Sequence, residues 1–337
     1  MITEKLYVKN NYDAAVARAA EILKNGGTVA IPTETVYGLA ASAYCDSAIN
    51  NVFKAKGRPQ DNPLIVHIAK IEDLKDVAVD VPEIAFTLAK RFCPGPLTMV
   101  LKKGSRICGN VSCGLDSVAV RMPDNKIARD IIEKSGLPLA APSANVSGYP
   151  SPTSAQHVLN DLDGKIDAVV MGDDCKIGVE STVVSLLGTP RLLRPGAVTA
   201  EQLREFLPDL IIDKAILSQP EKDAKVESPG MKYKHYSPKT PVFLVEGTSE
   251  EFAHYVNQKE NAVAICFDQD TNIKIPSVVY GSKSDETTLA HNIFRILRDI
   301  DGKDYAAAYV HAPSKSGVGL AVYNRLIRAA AFRVVHL

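Results

Sequence analysis

The stretch Thr28-Val-Ala-Ile-Pro-Thr-Glu-Thr-Val-Tyr-Gly-Leu39 passes from a short apolar run into a cluster of hydroxyls and one carboxylate, and reaches a glycine. Gly26-Gly27 before the run and Pro32 after it predict a buried strand over 28–32 that opens into a polar loop. Just upstream, residues 12–25 place Val16, Ala19, Ala20 and Leu23 on one helical face and stop at the glycine pair. Helix, buried strand and polar loop in succession point to an α/β sheet, and in open sheets of that kind ligands collect at the carboxyl ends of strands. Thr33 and Thr35 therefore stand either where a ligand binds or where they cap the next element.

The alternation continues outward. A helix over 46–56, capped by Asp46 or Ser47 and ended by Gly57, turns Ile49, Val52 and Phe53 inward. Strands are predicted at 64–68, 97–102, 118–122, 137–141, 166–171 and 181–187. Helices are predicted near 71–79, 82–92, 124–134, 153–162 and 199–207. Near 213–240 the pattern stops, with Ser218-Gln-Pro, Glu227-Ser-Pro-Gly and Tyr236-Ser-Pro punctuating a stretch longer than the ~12–15 structureless residues a compact domain usually contains. Strands at 241–245, 262–267, 277–280 and 306–310, with helices at 249–257, 285–300 and 318–331, then resume the β-α-β pattern. The expected organisation is an α/β domain over 1–212 with parallel and antiparallel pairs, a linker over 213–240, and a smaller Rossmann-like α/β domain over 241–337.

At 337 residues the chain exceeds the roughly 100–200 of one domain, in agreement with two. Lys plus Arg and Asp plus Glu number 39 each, so no net field draws the molecule to nucleic acid or a membrane, although a local basic groove is compatible with that balance. Six cysteines at 45, 93, 108, 113, 175 and 266 show no CxxC spacing and read as reduced thiols. The segment Met1-Ile-Thr-Glu-Lys-Leu-Tyr7 has no apolar signal core, and no run approaches the ~20 apolar residues of a membrane span. A cytoplasmic, membrane-free protein is expected.

No GxxxxGK[ST], HExxH, paired CxxC or GxSxG is present, which argues against a P-loop enzyme, a protein-ligated metal and a nucleophile elbow. Gly317-Val-Gly319 lacks a third glycine and reads better as a helix start. What remains is a set of polar strand ends. Lys54, Lys56 and Arg58 close a helix and enter a loop stiffened by Pro59 and Pro63, a place that suits either the helix dipole or a polyphosphate. Pro142-Ser-Ala-Asn-Val-Ser-Gly148 offers small donors that form an ordinary turn or cradle a phosphate. Arg121 ends a strand, Ser181 begins one, and Arg194 precedes Pro195-Gly196.

Taken together, IPTETVYGL, KAKGRPQDNPL, VAVRMP, APSAN-SG, ESTVV and RPG, in that order, resemble the YrdC-type family of L-threonylcarbamoyladenylate synthases. The run Ser228 to Pro238 followed by a small α/β unit resembles the long, two-domain branch of that family. The resemblance implies a YrdC-like twisted mixed sheet with flanking helices. It also implies formation of threonylcarbamoyl-adenylate and pyrophosphate from L-threonine, bicarbonate and ATP, with magnesium, for threonylcarbamoyladenosine in tRNA. A separate tRNA threonylcarbamoyl transferase complex would take the product, and direct tRNA contact, if made, is weak. By resemblance, Lys56, Arg58, Ser143 and Asn145 serve the phosphates and carbamate. Asn62, Ser117, Ser151, Arg194 and Tyr236 join Arg58 and Ser143 at ATP. Thr35, His67, Arg121, Ala141 and Ser181 surround threonine, with Arg121 facing the carboxylate and His67 alternatively a polar strand residue satisfied by backbone. The linker, through Lys232, Lys234, His235 and Tyr236, is expected to fold over the active site. Two other readings stay open, a carbamoyl-phosphate-dependent carbamoyltransferase and a non-catalytic RNA-binding module.

Overall fold

The computed structural model describes residues 2–218 and 235–337. In the first domain the strands are β1 (Glu4–Tyr7), β2 (Val29–Ile31), β3 (Gly38–Ser42), β4 (Ile65–His67), β5 (Leu97–Lys102), β6 (Ser117–Arg121), β7 (Leu139–Ala140), β8 (Ala168–Met171), β9 (Thr182–Ser185), β10 (Arg191–Arg194) and β11 (Ile211–Ile212). The helices are α1 (Tyr12–Lys24), α2 (Asp46–Lys56), α3 (Leu74–Val77), α4 (Glu83–Phe92), α5 (Gly109–Ser112), α6 (Lys126–Ser135), α7 (Ala155–Leu162) and α8 (Ala200–Arg204). The strands form one mixed sheet in the order β1-β8-β2-β3-β7-β4-β6-β5-β9-β10-β11.

Local chemistry explains the helix ends. The Asn11 side chain accepts from Ala14 N and starts α1, whose Val16, Ala19, Ala20 and Leu23 are buried as their spacing predicts. Helix α2 departs from expectation at its start. Extended Cys45 occupies the cap position with no side-chain bond, and Asp46 sits inside the first turn, where its charge suits the helix dipole. At the other end Gly57 takes the left-handed conformation, φ +60°.

The polar loop after β2 is shorter than expected and wholly buried. Residues 38–42, small and apolar, form β3 antiparallel to β2. Thr33 and Thr35 therefore have no helix to cap. A buried loop must find partners for its main-chain groups, and this one does so by stitching itself to two others. Tyr37 N donates to Pro152 O and Leu39 N to Pro142 O, while Glu34 O and Thr35 O accept from Ile177 N and Gly178 N. Thr33 Oγ1 accepts from Thr35 N and Val36 N and donates to Val36 O at 2.6 Å.

The second domain is a parallel sheet of β12 (Val242–Glu246), β13 (Ala262–Phe267), β14 (Ser277–Gly281), β15 (Ala307–His311) and β16 (Val334–His336), in the order β14-β13-β15-β12-β16. Helices α9 (Ser249–Val256), α10 (Glu286–Asp299) and α11 (Gly317–Ala329) pack on it. Gly317 does open a helix. From Gly319 to Ala329 every residue of α11 is buried, including Asn324, Arg325 and Arg328, because the helix is wedged between the sheet and the first domain. The stretch between the two sheets is not featureless, since residues 214–216 make a 3-10 turn capped by Asp213. Lys232 and Lys234 lie outside the described residues.

Gly178 marks how closely the domains meet. Its φ is +89°, and a Cβ there would lie 2.4 Å from Ala290 O on α10. Gly178→Ala is therefore expected to cost about 1–3 kcal/mol, from positive φ and overpacking together. Urea unfolding reads this as a lowered midpoint, and an unchanged midpoint would mean that the seam opens freely at this position.

Candidate active site

Three strand ends and three loops converge on a cleft of about 710 Å³, its open mouth included. The sheet register explains the convergence. His67 of β4 pairs with Arg121 of β6, Arg121 with Thr98 of β5, Thr98 with Val183 of β9, and Val183 with Arg194 of β10. Neighbouring strands are ~4.8 Å apart, so this one row spreads His67, Arg121 and Arg194 along the cleft, with Thr98 fully buried behind Ser181. Lys56 arrives from the end of α2, and residues 141–151 form the facing wall.

The cleft gathers eleven of the fourteen residues singled out in the sequence: Lys56, Arg58, His67, Arg121, Ala141, Ser143, Asn145, Ser151, Ser181, Arg194 and Tyr236. Thr35, Asn62 and Ser117 are not on its walls. Thr35 is fully buried behind Thr33, whose Oγ1 is 2.9 Å from its own. Asn62 is buried and gives its carbonyl to the Arg58 guanidinium at 3.2 Å. Ser117 begins β6 while Arg121 ends it, roughly 13 Å away at strand spacing.

One end of the cleft is cationic. Lys56 is 1% exposed, and its Nζ donates to Ser143 O at 2.5 Å and Asn145 O at 2.6 Å. Burial, with Arg58 nearby, pulls its ammonium well below the ordinary lysine range. Burial also lowers Arg58 and Arg194, each to about 10, so both stay charged at neutral pH. The Asn145 side-chain amide donates to Val146 O and Tyr149 O, leaving Oδ1 buried without a partner. A buried acceptor left unpaired at a cleft marks a place for a ligand donor.

The other end is built around Arg121. Its Nη2 lies 2.7 Å from a Glu34 carboxylate oxygen, in an ion pair whose two side chains are 5% and 4% exposed. Ser181 Oγ sits 2.8 Å from Thr98 Oγ1 and accepts from Arg194 Nη2 at 3.1 Å. His67 donates from Nδ1 to Ile65 O at 3.2 Å. Burial, helped by the Arg121 charge, depresses its pKa to about 3, so the imidazole is neutral.

Sequence reasoning missed Glu34 and Glu180 as site residues, although both stand inside the motifs. Glu180 lines the cleft, where its Oε1 accepts from Ser151 Oγ at 2.5 Å. Burial alone would raise its pKa, but Arg325 and Arg194 outweigh that and lower it. His235 and Tyr236, the first residues described after position 218, close the remaining side, with Tyr236 at φ +60°. All six cysteines are free thiols. Among the described residues no three His, Cys, Asp or Glu side chains form a metal-ligating group, and no helix is long and apolar enough to cross a membrane.

Fold and site together define a two-domain α/β protein whose first domain carries a cationic cleft, closed on one side by His235 and Tyr236 of the connecting segment. The Sua5/yciO/yrdC family model, described as telomere recombination, matches residues 21–196, and the model for the C-terminal domain of threonylcarbamoyl-AMP synthase matches 198–331. A threonylcarbamoyl-AMP synthase of Bacillus subtilis is 43% identical over 96% of this chain and 95% of its own. Two Pyrococcus abyssi Sua5 structures, both 39% identical, cover the whole of this chain. A doubly substituted form superposes with TM-score 0.92 over 98% of its own chain, and one complexed with L-threonine superposes with 0.90 over all of its own. The chain belongs to the threonylcarbamoyl-AMP synthase family.

The buried histidines carry a pH signature. His67 and His235 are each depressed by burial to about 3 from an ordinary 6.5. Below pH 6.5 the unfolded chain binds protons that the folded one refuses, so stability falls as pH drops from 6.5 toward 3. Each histidine contributes a slope approaching about 1.4 kcal/mol per pH unit. In urea unfolding between pH 7.5 and 5, His67→Asn is expected to remove about one proton's worth of that slope. An unchanged slope would mean that His67 is protonated in the folded chain.

Proposed function

We propose that this chain joins L-threonine, bicarbonate and ATP into threonylcarbamoyl-adenylate, releasing pyrophosphate, for modification of tRNA. The observation that carries the reading is the meeting, in one cleft, of cations suited to a triphosphate and a polar pocket suited to a small amino acid. The Pyrococcus abyssi relative that binds L-threonine shares this architecture.

The chemistry has two bond-forming steps. The threonine amine and bicarbonate give a carbamate and water. A carbamate oxygen then attacks the α-phosphorus of ATP, and the bond to pyrophosphate breaks. The nucleophile belongs to the substrate, so this chain's work is to position reactants and stabilise negative charge. Lys56, Arg58 and Arg194, with Ser143, Asn145 and Ser151, are assigned to ATP and the carbamate, and Tyr236 to the nucleotide side. Asn62 acts from behind by holding Arg58 through its carbonyl.

Arg121, His67, Ala141 and Ser181 are assigned to threonine, with Thr35 supporting Thr33 from below. The Arg121 guanidinium is the partner of the threonine carboxylate and must share its donors between that group and Glu34. Ser117 receives no role. Magnesium would be carried on ATP phosphate oxygens, where it neutralises their charge, since the cleft faces the phosphates with cations rather than free carboxylates. A cytoplasmic setting and a downstream transferase that consumes the labile adenylate complete the proposal.

The test is pyrophosphate release from ATP and magnesium, with and without L-threonine and bicarbonate. Release is expected to need both, to fall at least about 100-fold in Lys56→Ala or Arg58→Ala, and to fall about 10–200-fold in kcat/KM with L-serine in place of L-threonine. Release indifferent to threonine and bicarbonate would sink the synthase reading.

A further inference from the structure

We propose that Arg325, on α11 of the C-terminal domain, is a positioning residue for the nucleotide end of the cleft. It acts through Glu180, so that the cleft reaches its working geometry only with the C-terminal domain docked. The proposal rests on the reading of that end as the ATP site.

Arg325 is 0% exposed and does not line the cleft. Its Nε donates to Glu180 Oε2 at 2.9 Å and its Nη2 to Glu180 O at 3.1 Å. Its Nη1 donates to Pro195 O at 2.7 Å and to Asn324 Oδ1 at 3.0 Å. One guanidinium thus holds two neighbouring main-chain segments of the other domain. Next to Glu180 stands Ser181, and next to Pro195 stands Arg194, which in turn donates from Nε to Ser181 O at 2.9 Å. The second oxygen of Glu180 receives the Ser151 hydroxyl. Ser151, Glu180, Ser181 and Arg194 all line the cleft, so a single side chain from outside it fixes four residues on its wall.

Charge gives the contact its sign. Glu180 is a buried carboxylate beside a place assigned to a triphosphate, and unpaired it would repel that ligand or pair with Arg194 and cancel the cation meant for it. Arg325 keeps it occupied and oriented, as outer partners of metal-ligating side chains orient theirs. Other cross-domain arginine contacts are different in kind. Arg298 pairs with Asp161 on α7 at 2.8 Å and donates to Pro150 O, and Arg328 donates to Ala215 O. They hold the domains together without gripping Glu180.

The full-length protein provides the test, with ATP and threonine affinities read by titration calorimetry, KM values by pyrophosphate release, and folding by thermal midpoint. Arg325→Met is expected to weaken ATP about tenfold or more, the usual effect of losing an orienting partner, and to weaken threonine less, since Ser181 alone of the threonine-side residues is among the four it fixes. Arg325→Lys, which keeps the buried positive charge but not the fork, is expected to hold the fold and still weaken ATP. In a Glu180→Gln background the ATP penalty of Arg325→Met should largely vanish, because the group it acts through has lost its charge. Asp161→Asn, which loosens the same interface but also lies close enough to Lys56 to act on its charge, should weaken ATP less than Arg325→Met does. An equal penalty in both backgrounds, an equal loss in Asp161→Asn, or unchanged ATP affinity in both well-folded Arg325 variants would overturn the proposal. Because ATP binding is read directly, absence of threonine-dependent turnover in the unsubstituted chain would count against the synthase reading and not against Arg325.

Discussion

Burying several cations in one cleft is the constraint on which the rest of this molecule depends. Lys56, Arg121 and Arg194 are at most 7% exposed, and Arg58 is only half-buried. Each loses hydration that nothing apolar can replace. The structure answers with fixed oxygens. Carbonyls of Ser143 and Asn145 take the Lys56 ammonium, Asn62 and Pro63 take Arg58, and Ser181 takes Arg194. One carboxylate, Glu34, pairs with a cation of the set, and a second, Glu180, is held beside it by Arg325. Carbonyls orient a cation without neutralising it, so the cleft keeps the positive potential that a polyphosphate needs.

This arrangement dictates the loops. A carbonyl can serve as a fixed acceptor only where the chain bearing it is rigid, and here rigidity comes from loops bonded to one another. Residues 32–39, 142–152 and 177–178 exchange main-chain hydrogen bonds, and the close approach of Gly178 to α10 continues that lattice into the second domain. The C-terminal domain is therefore packed against the back of the site. Tyr236 lines the cleft, and its ring centroid lies 5.1 Å from that of Phe294 on α10.

Much of this was legible in the sequence, for identifiable reasons. Strong periodicity located α1, α10 and β13, and glycine at the left-handed end of α2 was readable as such. Strand β3 was not legible, because Gly38-Leu-Ala-Ala-Ser42 is buried on both faces and shows no alternation. Strand β10 was masked by Arg191 and Arg194 at its two ends. The motif residues converged on one cleft because His67, Arg121 and Arg194 end strands that the sheet aligns by register, while Lys56 and residues 141–151 come from a helix end and a loop packed against them. The pairing of Glu34 with Arg121 and of Glu180 with Arg325 was hidden. The second spans 145 positions, and no local pattern announces a partner that distant.

The two buried carboxylates also differ in what they do to their cations, and that difference separates the ends of the cleft. Glu180 is tied to Arg325, which does not face the cleft, so Arg194 keeps its charge for a ligand. Glu34 is tied to Arg121, which does. A ligand carboxylate at Arg121 must therefore share a guanidinium that is already half-compensated, a poor site for a polyanion and an adequate one for a single carboxylate with a hydrogen-bonding neighbour such as Ser181. On the proposed reading, a triphosphate would gain most at Lys56, Arg58 and Arg194, and a small amino acid would lose least at Arg121. The order in which charges are paired within the protein would, on that reading, direct a polyphosphate and an amino-acid carboxylate to different parts of one cleft.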